Sequence, residues 1–258
     1  MLGKLIKYEI KAFGRIMLPL YGIAFAVTLL FSVMIRLSMS GFAKNLIDKF
    51  AVIASVLFIA VVIAVMVVMV IMIIQRFYRN LLGTEGYLMF TLPVTTLQNI
   101  LSKLLTAILW ILIGAVVGTV AGLASVAIIS NYDEFIRQVR EVITTIHGEG
   151  NLVTDILRIV VVSLIGMIAS ITKVYASIAI GHQVSNHRVF GAVLAYIGIG
   201  ILEVLITSIP GMCNLIGTQL TNGSFQRFFI SGILVSLLQI VFYGGVTWYL
   251  LDKRLNLE

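Results

Sequence analysis

Two ionisable residues stand where charge is costly. Lys173 and Glu203 each fall inside a long apolar run. In hydrocarbon such groups serve as ion or proton relays, as contacts for a polar substrate, or as ties between helices. Lys173 lies about two turns from one end of its run and Glu203 about 13 residues from the same side of the next, a depth difference of ~10 Å. Lysine also snorkels toward the nearer headgroup layer, which takes it away from Glu203. The expectation is therefore two separate polar groups rather than an ion pair. Glu203 is the stronger functional candidate, facing a bundle interior or a wet cavity; a neutral Glu203 bonded to a neighbouring helix is the plain alternative.

Soluble-enzyme chemistry is missing from the rest of the chain. There is no G-x-x-x-x-G-K-[ST], H-E-x-x-H, G-x-S-x-G or C-x-x-C. His182 and His187 are five apart, a poor helical spacing for one metal, with no carboxylate or cysteine nearby. Cys213 is alone, so no internal disulfide can form. No catalytic residue, metal or cofactor is expected in this chain. Gly114, Gly118 and Gly122 recur every four residues, a spacing that lets membrane helices approach closely, within one subunit or across a dimer seam.

The elements that must position these residues are membrane helices. From Ala51 to Ile74, Ser55 is the only polar side chain. A helix rising ~1.5 Å per residue crosses a ~30 Å hydrocarbon layer over such a run. The chain is 60% hydrophobic and 11% charged over 258 residues, unlike a soluble domain. Six runs qualify: Met17–Leu37, Ala51–Ile74, Leu104–Ile129, Ile156–Ile180, Val189–Ile209 and Phe228–Leu251. Runs of this length mean helices rather than barrel strands. The fold class is an all-α integral membrane protein, one transmembrane domain over 1–258, with a six-helix bundle over 17–251 and residues 252–258 as a tail.

Six spans place both termini on one side. That side carries Lys4, Lys7, Lys11, Arg15, Arg76, Arg79, Lys103, Arg188, Lys253 and Arg254. The other carries Arg36, Lys44, Lys49, Arg137, Arg140, Arg158 and Arg227. The excess of cations predicts cytoplasmic termini; the expected location is the plasma membrane. The net charge of +7 reads as attraction to anionic lipid, not to nucleic acid.

Outside the spans lie two amphipathic pieces and one short apolar helix. Residues 1–16 read as an interfacial helix, with Leu2, Leu5, Ile6, Ile10, Phe13 and Met17 opposite Lys4, Lys7, Lys11 and Arg15. Gly14 and Pro19 mark the expected bend into the first span. The long inner loop Gln75–Lys103 holds Tyr87-Leu88-Met89-Phe90-Thr91-Leu92, a short apolar helix that Thr84 caps and Glu85 favours electrostatically. Its apolar face needs a protein partner or the lipid interface. On the outer side, 131–155 reads as an amphipathic helix with an Asp133, Arg137, Glu141 ladder, ending at His147-Gly148-Glu149-Gly150.

These features resemble the membrane subunit of type-two, exporter-class ABC transporters, in its small Gram-positive form. The sharpest part is Glu85-Gly86-Tyr87-Leu88-Met89-Phe90-Thr91-Leu92-Pro93-Val94-Thr95 followed by Lys103, similar to that family's pattern between spans two and three. The opening Leu2–Arg15, with Lys7-Tyr8-Glu9, is similar as well. The resemblance implies that Gly83–Pro93 is a coupling helix, with Glu85, Tyr87, Leu88, Phe90, Leu92 and Pro93 docking on a separate ATPase subunit that holds ATP and Mg. It also implies a second permease, identical or related, to complete a dimer. The chain lacks the large extracellular domain of bigger members.

Three function classes follow. The first is an ATP-driven exporter permease without catalysis of its own, moving an amphiphilic peptide, drug or lipid. The second is a secondary transporter or ion channel using Glu203 and Lys173; the broken helices and internal repeats usual in such proteins are not evident. The third is a non-transporting immunity or sensor protein.

Overall fold

A computed structural model describes residues 2–40, 44–83, 94–130, 132–148, 152–184, 187–207 and 224–253. The described residues form seven α-helices and no strand. They are α1 Leu2–Met39, α2 Lys44–Phe77, α3 Thr96–Ile129, α4 Tyr132–Gly148, α5 Leu152–Gly181, α6 Arg188–Thr207 and α7 Ser224–Lys253. All except α4 are long and apolar enough to cross a membrane. In lipid a helix is the one open-ended element that satisfies its own backbone, so long apolar runs become helices.

The expected break in the first helix is absent. α1 runs unbroken through Gly14 and Pro19 for 38 residues. Pro19 removes one backbone hydrogen bond, which a long membrane helix tolerates. Gly14 has a different purpose. A Cβ there would lie 2.7 Å from Cζ2 of Trp110, so the glycine admits an indole against the helix. Phe13 and Met17 are buried, while Lys4, Lys7, Lys11 and Arg15 are exposed. Glu9 is buried on the same stripe, a position that the hydrophobic pattern did not flag.

The chain divides into two compact units. One comprises Ile6–Ile73 with Thr106–Gly150. Trp110 of α3 organises this unit. Its ring stacks on Phe13 at 6.0 Å, and its carbonyl accepts a 2.8 Å hydrogen bond from the Tyr21 hydroxyl. Phe31 of α1 stacks on Phe58 of α2 at 4.9 Å. Arg36 donates to the carbonyls of Ile128 and Ser130 at 2.6 and 3.4 Å, capping the end of α3 with a cation where the helix dipole favours one. In α4, Arg137 lies 3.8 Å from Glu134 and 4.0 Å from Glu141. The expected ladder thus uses Glu134 where the spacing pointed to Asp133.

The other unit comprises Met1–Leu5, Ile74–Leu105 and Asn151–Glu258. Here α5 is central, packed against both α6 and α7. The end of α5 and the start of α6 approach closely where two glycines face each other. A Cβ on Gly181 would meet the Ala192 nitrogen at 2.1 Å, and one on Gly191 would meet the Gly181 carbonyl oxygen at 3.0 Å. Any side chain at Gly181 would force backbone apart from backbone.

Candidate functional site

The coupling candidates Glu85, Tyr87, Leu88, Phe90, Leu92 and Pro93 lie outside the described residues. The chain that leads into them does not. The expected inner loop starts at Gln75, yet α2 continues to Phe77 and passes into a π-helical turn over Tyr78–Leu82. Such turns are rare and occur mostly as single turns within α-helices. Phe77 is fully buried and stacks on the equally buried Tyr175 of α5, with ring centroids 4.1 Å apart. Leu81 and Leu82 are also buried.

A second tie holds the same turn. His182, just past α5, places Nε2 3.2 Å from the Leu82 carbonyl oxygen. A carbonyl only accepts, so Nε2 carries the proton. The Tyr78 ring lies 6.3 Å from the imidazole. Burial, followed by the nearby Arg188 cation, lowers the His182 pKa from its usual value, against the opposing effect of the Leu82 hydrogen bond. His182, read from sequence as an ordinary loop residue, is thus a connector between two helices. Its partner is 100 residues away and carries no side-chain signal, being a main-chain oxygen.

The start of α3 adds a buried polar stripe that the apolar pattern of the sequence does not announce. Asn99, Ser102, Lys103 and Thr106 fall at i, i+3, i+4 and i+7, and all are buried, Lys103 to 3% exposure. An ammonium so far from water requires a counter-charge. Lys103 is also the last residue of the family-like pattern.

Mid-span, the structure brings Lys173 and Glu203 together as an ion pair. The expectation of separate charges was wrong for a geometric reason. Every Cα–Cβ bond in a helix tilts toward that helix's N-terminus. α5 and α6 pack side by side in opposite directions, Gly181 beside Ala192 and Lys173 beside Glu203. Lys173 therefore leans away from the Gly181 end and Glu203 leans toward it, and two long side chains close the axial gap. The Lys173 ammonium reaches α6 beside Gly200, where a Cβ would sit in ordinary contact, 3.7 Å from Nζ.

Glu203 has further partners from α7. Its Oε1 accepts from the Tyr243 hydroxyl at 2.6 Å and from Gln239 Nε2 at 3.1 Å. The Lys173 ammonium also lies 5.0 Å from the centre of the Tyr196 ring. Tyr196, Gly200 and Glu203 share one face of α6 at i, i+4 and i+7; Gln239 and Tyr243 share one face of α7 at i and i+4. The pair is covered only in part, with side chains 14% exposed at Lys173 and 26% at Glu203.

The glycine series of α3 divides. A Cβ on Gly114 would meet the Tyr21 hydroxyl at 2.6 Å, whereas Gly118 and Gly122 have nothing within 4 Å of that position. Close approach among the described residues is thus to a tyrosine at Gly114, not to a helix along the series. Among the described residues, no group of three His, Cys, Asp or Glu side chains is arranged to hold a metal ion.

No family model, curated protein or solved structure matches this chain.

Proposed function

We propose that the chain is the membrane permease subunit of an ATP-driven exporter of the ABC type, working as a dimer with separate ATPase subunits. The observation that carries this reading is the double tie between the turn before Gly83 and the end of α5. Phe77 on Tyr175 and Leu82 on His182 fasten the start of the family-like segment to the helix that packs on α6 and α7. A push on residues 83–93 would then move α5 rather than dissipate in a loose loop. The polar cluster at Glu203 links α5, α6 and α7, so the three helices would respond together. Six helices able to span, apolar and aromatic surroundings, and the absence of a P-loop accord with a subunit that borrows its energy from another chain.

The test is Tyr87→Ala combined with Phe90→Ala. Transport should be lost while the purified bundle retains its helicity and unfolding temperature. An unchanged transport rate in well-folded protein would remove the coupling role.

A second reading, ion-coupled transport through Glu203, is favoured by the exposure of Glu203 at spanning depth. It requires pH-driven flux in vesicles that contain no ATPase, abolished by Glu203→Gln.

A further inference from the structure

We propose that Glu203, Tyr243, Gln239 and Tyr196 form a binding site for the ammonium headgroup of a cationic amphiphile, with Lys173 as a tethered occupant that the ligand displaces. The role in transport rests on the exporter reading above; the binding itself does not.

The cluster separates into a receptor and a cation. Glu203 Oε1 is fixed from α7 by Tyr243 and Gln239, neither of which depends on Lys173. The other oxygen, Oε2, faces the Lys173 ammonium. That ammonium also lies over the Tyr196 ring. A carboxylate held in place beside an aromatic face is the chemistry that recognises an alkylammonium group. The protein's own lysine demonstrates the fit, for its side chain is itself an alkyl chain ending in an ammonium.

Access and exchange are also built in. Tyr196 is 47% exposed, and Val193 and Val189, at i−3 and i−7 on the same side of α6, are exposed apolar residues. A ligand that reaches Glu203 along this flank must present an apolar tail to them, which selects an amphiphile over a free amine. Displaced, Lys173 has somewhere to go. It lies two turns from the end of α5 and can snorkel to the headgroup layer. Glu203 holds one cation at a time, because two ammonium groups on one oxygen repel. Return of Lys173 would expel the ligand without leaving the carboxylate unpaired, and an unpaired charge at this depth is costly. An anionic amphiphile fits less well: it would seek Lys173, the less exposed partner, and place its negative charge beside Glu203.

The experiment is equilibrium dialysis of dodecylammonium against the full chain in phosphatidylcholine nanodiscs, with empty nanodiscs subtracted and dodecyl sulfate as the comparison. No ATPase is present, so the result is independent of the exporter reading. Wild-type protein should show saturable dodecylammonium binding and none for dodecyl sulfate. Lys173→Met should tighten dodecylammonium binding about tenfold, because the tethered competitor is gone and the competent fraction rises. The double variant Lys173→Met with Glu203→Gln removes both charges together and should lose the saturable component. The proposal is overturned if wild type shows no saturable binding, if the double variant binds as well as Lys173→Met, or if dodecyl sulfate saturates the same protein.

Discussion

His182 and Leu82, 100 residues apart, are joined by a 3.2 Å hydrogen bond from an imidazole to a main-chain oxygen. This contact fastens the turn after α5 to the last residue of the π-helical turn after α2. It also has a pH signature. The His182 pKa is lowered in the folded protein, chiefly by burial and then by Arg188. The folded state thus holds fewer protons than the unfolded state as pH falls below the ordinary imidazole value of about 6.5. Stability from this site is complete above that pH and is lost below it. Wild-type protein in detergent should lose about 1–2 °C more in unfolding temperature between pH 7.5 and 5.5 than His182→Gln, whose amide keeps a donor for Leu82. Equal losses would mean that the imidazole is not the titrating group.

The Phe77–Tyr175 stack is the second fastening of the same turn. Both rings are buried and 4.1 Å apart. A double-mutant cycle with Phe77→Leu and Tyr175→Leu should give a coupling of about 1 kcal/mol beyond the separate losses. Additive losses would indicate that the rings merely share a neighbourhood.

At mid-span, the Lys173–Glu203 pair predicts an ordering of variants. Lys173→Met or Glu203→Gln alone removes one member of the pair and leaves the other charge beside Tyr243 or Tyr196. Each single change should destabilise at or below the lower end of the about 3–5 kcal/mol typical of broken buried pairs, since Glu203 is part-exposed. The double variant should recover much of that loss. Thermal unfolding of the three proteins in the same detergent decides the matter, and a double variant worse than either single one would contradict a paired arrangement.

Gly14 predicts an optical effect. A methyl group at this position meets the Trp110 indole at 2.7 Å. Gly14→Ala should displace the ring, cost about 1–3 kcal/mol as overpacking does, and shift Trp110 emission in a Trp248→Phe background. Unaltered emission and stability would show that α1 and α3 are not in contact there.

Some of this was legible in the sequence and some was not, for identifiable reasons. The six spanning helices follow from apolar run length alone, because lipid leaves the backbone no alternative. The exposed cations and buried Phe13 and Met17 of α1 follow from helical periodicity. The bend at Gly14 and Pro19 failed because local propensity gave way to tertiary packing: the glycine serves Trp110, and the helix absorbs the proline. The Lys173–Glu203 pair was missed because depth was counted along Cα atoms while side chains lean along their helices. His182 escaped notice because its partner is a carbonyl oxygen that no residue type announces. The buried stripe from Asn99 to Thr106 was hidden by its location at the head of an apolar run, where polar residues usually face water.

The central claim is that this chain couples to a separate ATPase through residues 83–93. The most direct measurement is affinity purification of the tagged protein from its native membrane in mild detergent, followed by an ATPase assay and identification of the co-purifying chains. The account predicts a nucleotide-binding subunit that is present with wild type and lost with Tyr87→Ala plus Phe90→Ala. A well-folded preparation that never carries an ATPase, or one whose ATPase remains bound to the double variant, would contradict it.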